Sequence, residues 1–423
     1  MIDIKLLRED PDLFIRAAKV KNFQVDIKAL LEVDRHILTV QQELQQIRTE
    51  QNRAGKQIAQ LKGPKKQTAI EEMSRLKARA KELSDETDKL KPEFDRMMLL
   101  LAQPADEGVP VGKDDTENTE IRKVGKIRKF NFKPKDHVEL GRDLDIIDIE
   151  RGVKLSGSRN YVLKGAGVML HQALLRLAMD MMLAKGYTPL TVPVLVRDEV
   201  MTGTGWFPVG RDQAYLCERD GMSLAGTAEV PLTAYHAEEI LGADELPKKY
   251  VAMSACYRRE AGAAGKDTYG LYRIHYFDKV EQFILGPNDK NQSIALHHEI
   301  LANAEEVMKA LSLPYRVVNV CTGDLGQGQV QKFDIETWMP SRESYGETHS
   351  ASRFYEFQAR RLNIRYRDAD GKVKFCHTLN NTVIASPRIL IPILELNQNA
   401  DGSVTVPEAL RPYMGGMEKI EPK

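Results

Sequence analysis

Two rows of mostly apolar residues with heptad spacing run through the first part of the chain, and they constrain the fold more than any other feature. One row is Leu30, Ile37, Leu44, Gln51 and Ile58; the other is Val33, Val40, Ile47, Ala54 and Leu61. This is the a/d seam of a coiled coil. Lys62-Gly63-Pro64 stops it, because glycine ends a helix and proline cannot continue one. The seam resumes as Met73, Ala80, Thr87, Phe94 and Leu101, with Leu76, Leu83, Leu90 and Met97 beside them. Two long helices joined by one short break predict an antiparallel hairpin, each arm reaching about 50 Å at 1.5 Å per residue. Pro92 falls inside the second helix and is expected to kink it. Upstream, Asp10-Pro11 reads as an N-cap followed by proline at the first helical position, predicting a helix over Pro11–Lys21.

Charge along this hairpin is segregated. Arg53 to Lys81 holds nine basic residues against Glu71 and Glu72, whereas Glu82 to Asp95 is mostly acidic. Such a pattern suits a solvated coiled-coil surface equally well as a lever presenting cations to a phosphate backbone. Aromatic residues are scarce near the tip, so backbone and shape contacts to folded RNA fit the second reading better than base stacking. Over the whole chain of 423 residues, 61 basic residues balance 61 acidic ones, which excludes a uniformly basic nucleic-acid coat.

The Pro/Gly-rich stretch from Gln103 to Gly112 marks a domain boundary, giving a helical arm over 1–102 and a body over 103–423. In the body a helix is expected over Gly167–Lys185, and others over Val230–Leu241, Asn291–Leu311 and Ser386–Leu396. Strands are expected over Tyr187–Val196, Tyr250–Arg259, Arg273–Leu285, Tyr315–Val320, Arg353–Tyr366, Val373–Leu379 and Val404–Val406. They cluster without βαβ alternation, so the predicted class is α+β, an antiparallel sheet with flanking helices. No GxGxxG or GxxxxGK[ST] element occurs. Cys217, Cys256, Cys321 and Cys376 have no metal-like spacing, and a reducing compartment fits them. The most apolar stretch, Val168 to Ala184, is interrupted by His171, Arg176 and Asp180, and the N-terminus lacks an apolar leader, so a cytoplasmic protein without a membrane anchor is expected.

Four motifs in the body can carry chemistry, and each has an ordinary alternative. Tyr257-Arg258-Arg259-Glu260 precedes the loop Ala261–Gly270 and the alternating run Arg273 to Phe283; Arg258 and Glu260 share a strand face, as do Phe277 and Glu281. A cation, carboxylates and an aromatic plate converging there could hold a nucleotide and an amine, or could be cross-strand ion pairs on a surface hairpin. Thr227-Ala228-Glu229 could bind an amine and a hydroxyl, or simply cap a helix. Glu347-Thr348-His349-Ser350 could supply oxygen ligands to Mg²⁺ alongside phosphates, or form a polar surface strand. Arg388 opens a mostly apolar helix, where a cation opposes the helix dipole; an anionic ligand or a neighbouring carboxylate would each compensate.

The order of these elements is more specific than any one of them. A coiled-coil hairpin, then T-A-E, R-R-E, F-D-K-V-E, E-T-H-S…F-Q-A-R-R and L-N-N-T…R…I-L-E resembles the seryl-tRNA synthetases of class II over essentially the full length. Pro193 is similar to the motif 1 proline at the dimer interface, Arg258 lies in a stretch resembling motif 2, and Arg388 resembles the motif 3 arginine. The chain departs from the family pattern at His349, where a small hydroxyl residue is usual, and at Asn381, Val383 and Pro387, where glycines are common.

The resemblance implies an ATP-dependent serine–tRNA ligase that first joins serine to AMP and then transfers it to the terminal ribose of tRNA(Ser), and it leaves open whether tRNA(Sec) is a further acceptor. It implies serine binding by Thr227, Ala228, Glu229, Arg258, Glu281 and Thr382. It implies ATP binding by Arg258, Arg259, Glu260, Ile274, Phe277, Arg388 and the run Glu347, Thr348, His349 and Ser350, with Mg²⁺ at Glu347 and Ser350. Arg258 and Arg388 would act on the phosphates, and Arg53, Lys56, Lys62, Arg75 and Arg79 would meet tRNA. A homodimer is implied. An inactive RNA-binding paralogue and a ligase charging a carrier protein are the rival readings.

Overall fold

The computed structural model describes residues 1–58, 60–261 and 268–422. The chain divides into two compact units, Ile2–Ala102 and Gln103–Lys423, with Met1 belonging to the second.

The first unit is built on helices Ile27–Ile58 and Pro64–Leu100. Val40, Leu44 and Ile47 form one cluster with Leu83, Ala80 and Leu76, as an antiparallel hairpin requires. Ion pairs repeat that antiparallel register: His36 Nε2 lies 2.8 Å from Glu86 Oε1, and Arg79 Nε lies 2.8 Å from Glu43 Oε1. Pro92 remains inside a continuous helix rather than ending it. Short helices Ile4–Glu9 and Pro11–Val20 precede the hairpin, with Asp10 Oδ1 capping the second by accepting from Leu13 N at 3.0 Å. Arg8 ties them to the hairpin through a 2.7 Å pair with the buried Asp34.

The second unit is organised by an eight-stranded sheet. Its order is Thr119–Val124, Tyr315–Asn319, Gln331–Met339, Ser344–Tyr355, His377–Ser386, Tyr276–Gly286, Lys248–Tyr257 and Thr188–Leu190. All neighbours are antiparallel except the last pair, where Thr188 aligns with Tyr250 in parallel. Helices Ala166–Ala184 and Lys290–Ala310 cover one face. Along Tyr276–Gly286, Val280 and Ile284 enter that helix-covered core and Gln282 donates to Ile300 O at 2.9 Å. The alternate residues Phe277, Lys279 and Glu281 therefore point to the opposite face, where the cavity described below lies. The segment after Ala102 is stitched to this unit: Asp106 N donates to Val330 O at 2.9 Å, and Asp106 Oδ2 receives Arg353 Nη2 at 2.5 Å.

Several elements differ from the sequence reading, each for a local reason. The helix expected over Val230–Leu241 is only Glu229–Ala234, and Ile240–Gly242 instead pairs in parallel with Arg365–Arg367. The strand expected over Arg353–Tyr366 ends at Tyr355, whose φ of 48° turns the chain into helix Phe357–Arg361. Tyr187–Val196 is split around Pro193 into Thr188–Leu190 and Leu195–Arg197, in separate sheets, as proline removes a ladder donor. The helix expected from Ser386 begins at Leu390, because a residue preceding proline is driven to extended backbone and Ser386 closes a strand instead. Strand Gln331–Met339 had no counterpart among the expected elements.

Candidate active site

A cavity of about 280 Å³ opens on the sheet face opposite helices Ala166–Ala184 and Lys290–Ala310. Its floor follows from strand alternation. Phe277, Lys279 and Glu281 rise from one strand; Thr382 stands directly across from Glu281 on one neighbour, and Ala252 across on the other. Arg258 follows immediately after the end of the strand Lys248–Tyr257, at the mouth of the floor.

Two β-bulges shape the walls. Glu347 opposes Glu336 while His349 opposes Ile335, so Thr348 is an extra residue in its strand. The consequence is that Glu347 and Thr348, adjacent in sequence, both line the cavity, followed by Ser350 and Ser352. His349 goes the other way: it is buried, with Nε2 3.1 Å from Val383 O and Nδ1 2.9 Å from Thr348 Oγ1, and burial pushes its imidazole down to about 4. A second bulge between Val280 and Glu281 in the pairing with His377–Ser386 lets Asn380, Thr382 and Ala385 all face inward, while Val383 enters the hydrophobic core.

One end of the cavity is acidic. Lys279 Nζ donates to Thr227 Oγ1 at 2.7 Å and lies 2.5 Å from Glu281 Oε2. Glu229 N also donates to Thr227 Oγ1, at 3.2 Å. Glu229 Oε1 accepts from Gln358 Nε2 at 2.8 Å. Burial, together with the nearby Glu281 carboxylate, raises Glu229 to about 7.

The other end is cationic. Arg258 Nε donates to Gly226 O at 3.1 Å, and its guanidinium lies 5.7 Å from the Trp206 ring and 5.3 Å from that of Phe277. Glu260 has a left-handed φ of 49° and accepts from Arg273 Nη1 at 2.7 Å. Arg388 sits in the turn before its helix. Its Nε donates to Tyr272 O at 2.9 Å, its Nη1 to Glu347 O at 3.0 Å, and its guanidinium lies 4.6 Å from the Tyr272 ring. Burial opposes ionisation of Glu347, yet Arg388, Lys332, Arg258 and Arg273 outweigh it and hold the carboxyl below the usual range. Beneath them Lys332 lies 3.4 Å from Asp334, which burial raises to about 7.

The fold thus brings Thr227, Glu229, Arg258, Glu260, Ile274, Phe277, Glu281, Glu347, Thr348, Ser350, Thr382 and Arg388 to one cavity. Ala228, Arg259 and His349 are not among its lining. Ala228 is packed in a hydrophobic cluster and Arg259 is exposed. Most of the loop Ala261–Gly270, residues 262–267, lies outside the described residues. The sequence reading passed over Lys279, although it falls between Phe277 and Glu281 on the same alternating face, and it passed over Lys332 and Asn380. In the arm, Arg79 alone of the five tip cations forms an ion pair among the described residues, with Glu43 and Glu82.

Among the described residues no group of three His, Cys, Asp or Glu side chains could hold a metal on its own. Glu347 and Ser350 are one carboxylate and one hydroxyl on the cavity wall, a donor set that fits Mg²⁺ completing its shell with phosphate oxygens and water.

Comparison with known proteins bears on the family and the fold. Residues 1–103 match the seryl-tRNA synthetase N-terminal domain, and residues 215–397 match the class II core domain of the synthetases for G, H, P, S and T. The chain is 44% identical to the serine–tRNA ligase of Deinococcus radiodurans, covering 99% of both chains. It is equally identical to that of Fervidobacterium nodosum, covering 98% of both. The crystal structure of Pyrococcus horikoshii seryl-tRNA synthetase complexed with ATP superposes with a TM-score of 0.94 at 38% identity over the whole of both chains. From its two matching domains, full-length relatives and shared architecture, the chain belongs to the seryl-tRNA synthetase family of class II aminoacyl-tRNA synthetases.

Proposed function

We propose that this cavity joins serine to AMP at the expense of ATP and that the same chain then transfers the seryl group to tRNA(Ser). The observation that carries the reading is the convergence of Arg258, Glu281, Glu347 and Arg388 on one cavity with an acidic and a cationic end. The serine ammonium and side-chain hydroxyl belong at the acidic end, among Thr227, Glu229, Glu281 and Thr382. The adenine stacks on Phe277 beside Ile274, with Glu260 and Arg259 at its edge. Thr348 and Ser350 flank the phosphates.

In the first step a serine carboxylate oxygen forms a bond to the α-phosphorus, and the bond from that phosphorus to pyrophosphate breaks. Little acid–base work is needed; what lowers the barrier is alignment and neutralisation of the charge developing on phosphate oxygens. Arg258 meets the α-phosphate and the carboxylate, and Arg388 grips the departing pyrophosphate. A magnesium ion held by Glu347 and Ser350 would supply further positive charge to the phosphates. In the second step the terminal ribose hydroxyl of tRNA attacks the carbonyl carbon, its proton leaves, and AMP departs with the bonding pair.

Arg53, Lys56, Lys62 and Arg75 near the hairpin tip present cations to the tRNA backbone, and tRNA(Sec) is a second acceptor of the same shape class. Val168, Met169 and Leu183 on helix Ala166–Ala184 and Met253 are exposed apolar side chains. They suit the homodimer interface, to which Pro193 also belongs. The protein works in the cytoplasm, and no helix among the described residues is long and apolar enough to cross a membrane. Serine-dependent exchange of pyrophosphate into ATP tests the reading. Exchange that requires serine is expected, and its absence would favour the inactive paralogue; charging of a carrier protein in place of tRNA would favour the other rival.

A further inference from the structure

We propose that Lys279 is a positioning residue that makes Thr227 a hydrogen-bond donor only, so that the site selects a side chain able to accept from Thr227 and donate to Glu281. The inference rests on the serine-binding reading above and deepens it.

A threonine hydroxyl has two acceptor lone pairs and one proton. Both lone pairs of Thr227 Oγ1 are taken, by Lys279 Nζ at 2.7 Å and by the Glu229 backbone N–H at 3.2 Å. What remains for a ligand is the proton alone. Thr227 is 2% exposed and lines the cavity, so water does not readily substitute for either donor. Lys279 is itself 6% exposed and reaches Glu281 from the same ammonium, with Nζ 2.5 Å from Oε2. Beyond that ion pair Oε2 has no hydrogen-bond donor among the described residues, and a carboxylate oxygen can accept from more than one.

Because one nitrogen touches both Thr227 and Glu281, their oxygens lie within the span that a single hydroxyl can bridge with two O–H···O bonds of ordinary length. The order of donation then runs from Lys279 to Thr227, from Thr227 to the ligand oxygen, and from the ligand hydroxyl to Glu281. Serine satisfies both requirements. Alanine satisfies neither and would leave the buried Thr227 proton without an acceptor, which is the costly kind of mismatch. A side-chain ammonium, as in 2,3-diaminopropionate, can donate to Glu281 but meets the Thr227 proton head-on. The assignment also separates the neighbours' roles: an α-ammonium cannot be bound by Thr227 Oγ1, and falls to Glu229.

The test is amino-acid-dependent pyrophosphate exchange with serine and with 2,3-diaminopropionate, at a pH where the latter's side chain is an ammonium. Lys279→Met, Lys279→Arg and the unaltered protein are compared. Removing the lysine frees an acceptor lone pair on Thr227. The kcat/KM ratio of serine to diaminopropionate is therefore expected to fall at least about tenfold in K279M, with KM for ATP little changed. K279R, which still donates, should hold the ratio near that of the unaltered protein. A ratio unmoved in K279M, whatever its total activity, would overturn the inference. If K279M fails to fold, Thr227→Val and Thr227→Ser carry the same question: T227S is expected to keep serine selectivity over alanine and T227V to lose about tenfold or more. A T227V protein with unaltered selectivity would overturn the inference. Exchange that is absent in the unaltered protein would overturn the site reading itself, and this inference with it, which separates the two failures.

Discussion

The two units of this chain use charge in opposite ways. In the arm, ion pairs such as Arg79–Glu43 and His36–Glu86 stand in solvent, and the helices are joined by a narrow seam of Val40, Leu44, Ile47 and Leu83. Exposed pairs of this kind add little to stability and are screened by salt, so the seam holds the hairpin and the surface charge is left for long-range attraction. In the body, Lys279, Glu281 and Asp334 are buried and Lys332 half-buried at or beside one cavity, where each charge feels its neighbours at low dielectric. Under the proposed function the same residue types would serve capture in one unit and alignment in the other. Capture tolerates loss of a single charge; alignment does not.

Perturbations of graded size separate those two uses. The largest effect is expected from Arg258→Ala, which removes the cation proposed to meet the α-phosphate: pyrophosphate exchange should fall by about 10²–10³ or more, with the fold intact by circular dichroism. Deleting Ile37–Leu90 should have the converse signature, with tRNA charging lost and serine-dependent exchange retained; persistent charging would show that the arm is not the tRNA handle.

Next comes Leu83→Ala. It opens a void in the narrow seam and should destabilise the hairpin by about 2–5 kcal/mol, seen as faster amide exchange in Ile27–Leu100 with the sheet unaffected.

A smaller effect concerns pH. Burial raises Glu229 to about 7, so below that pH the empty site holds a proton that the incoming serine ammonium must displace. KM for serine should rise as pH falls below about 7, by up to about tenfold per unit. Folding stability follows the opposite sense: between the usual carboxylate range and about 7 the native state holds a proton that the unfolded chain has released, so this group's contribution declines as pH rises through that window and is level above it. Glu229→Gln should flatten both profiles. The smallest effect is expected at Arg79. Already paired with Glu43 and Glu82, it should raise KM for tRNA less on replacement by alanine than Lys62 does.

How much of this was legible beforehand depends on whether the signal was local. The heptads announced the hairpin because a helical period needs no partner to be read. Alternation placed Phe277 and Glu281 on one face for the same reason, and should have placed Lys279 with them. His349 lies outside the cavity that Glu347, Thr348 and Ser350 line, because the bulge at Thr348 is set by pairing with Gln331–Met339, a strand without a counterpart among the expected elements. Arg353–Tyr366 looked continuous as a strand until Tyr355 took a left-handed φ that its residue type does not advertise. Short-range periodicity survives translation into structure; cross-strand register is a property of two segments at once.

That extra residue in the Ser344–Tyr355 strand also sets a limit on how the pocket can vary. Neighbouring positions 347 and 348 supply the same wall only while the strand is one residue longer than its partner there. Exchanging either side chain alters one contact, but excising a single residue would straighten the ladder and rotate everything beyond it by half a turn. Length, rather than identity, is the more guarded quantity along this stretch.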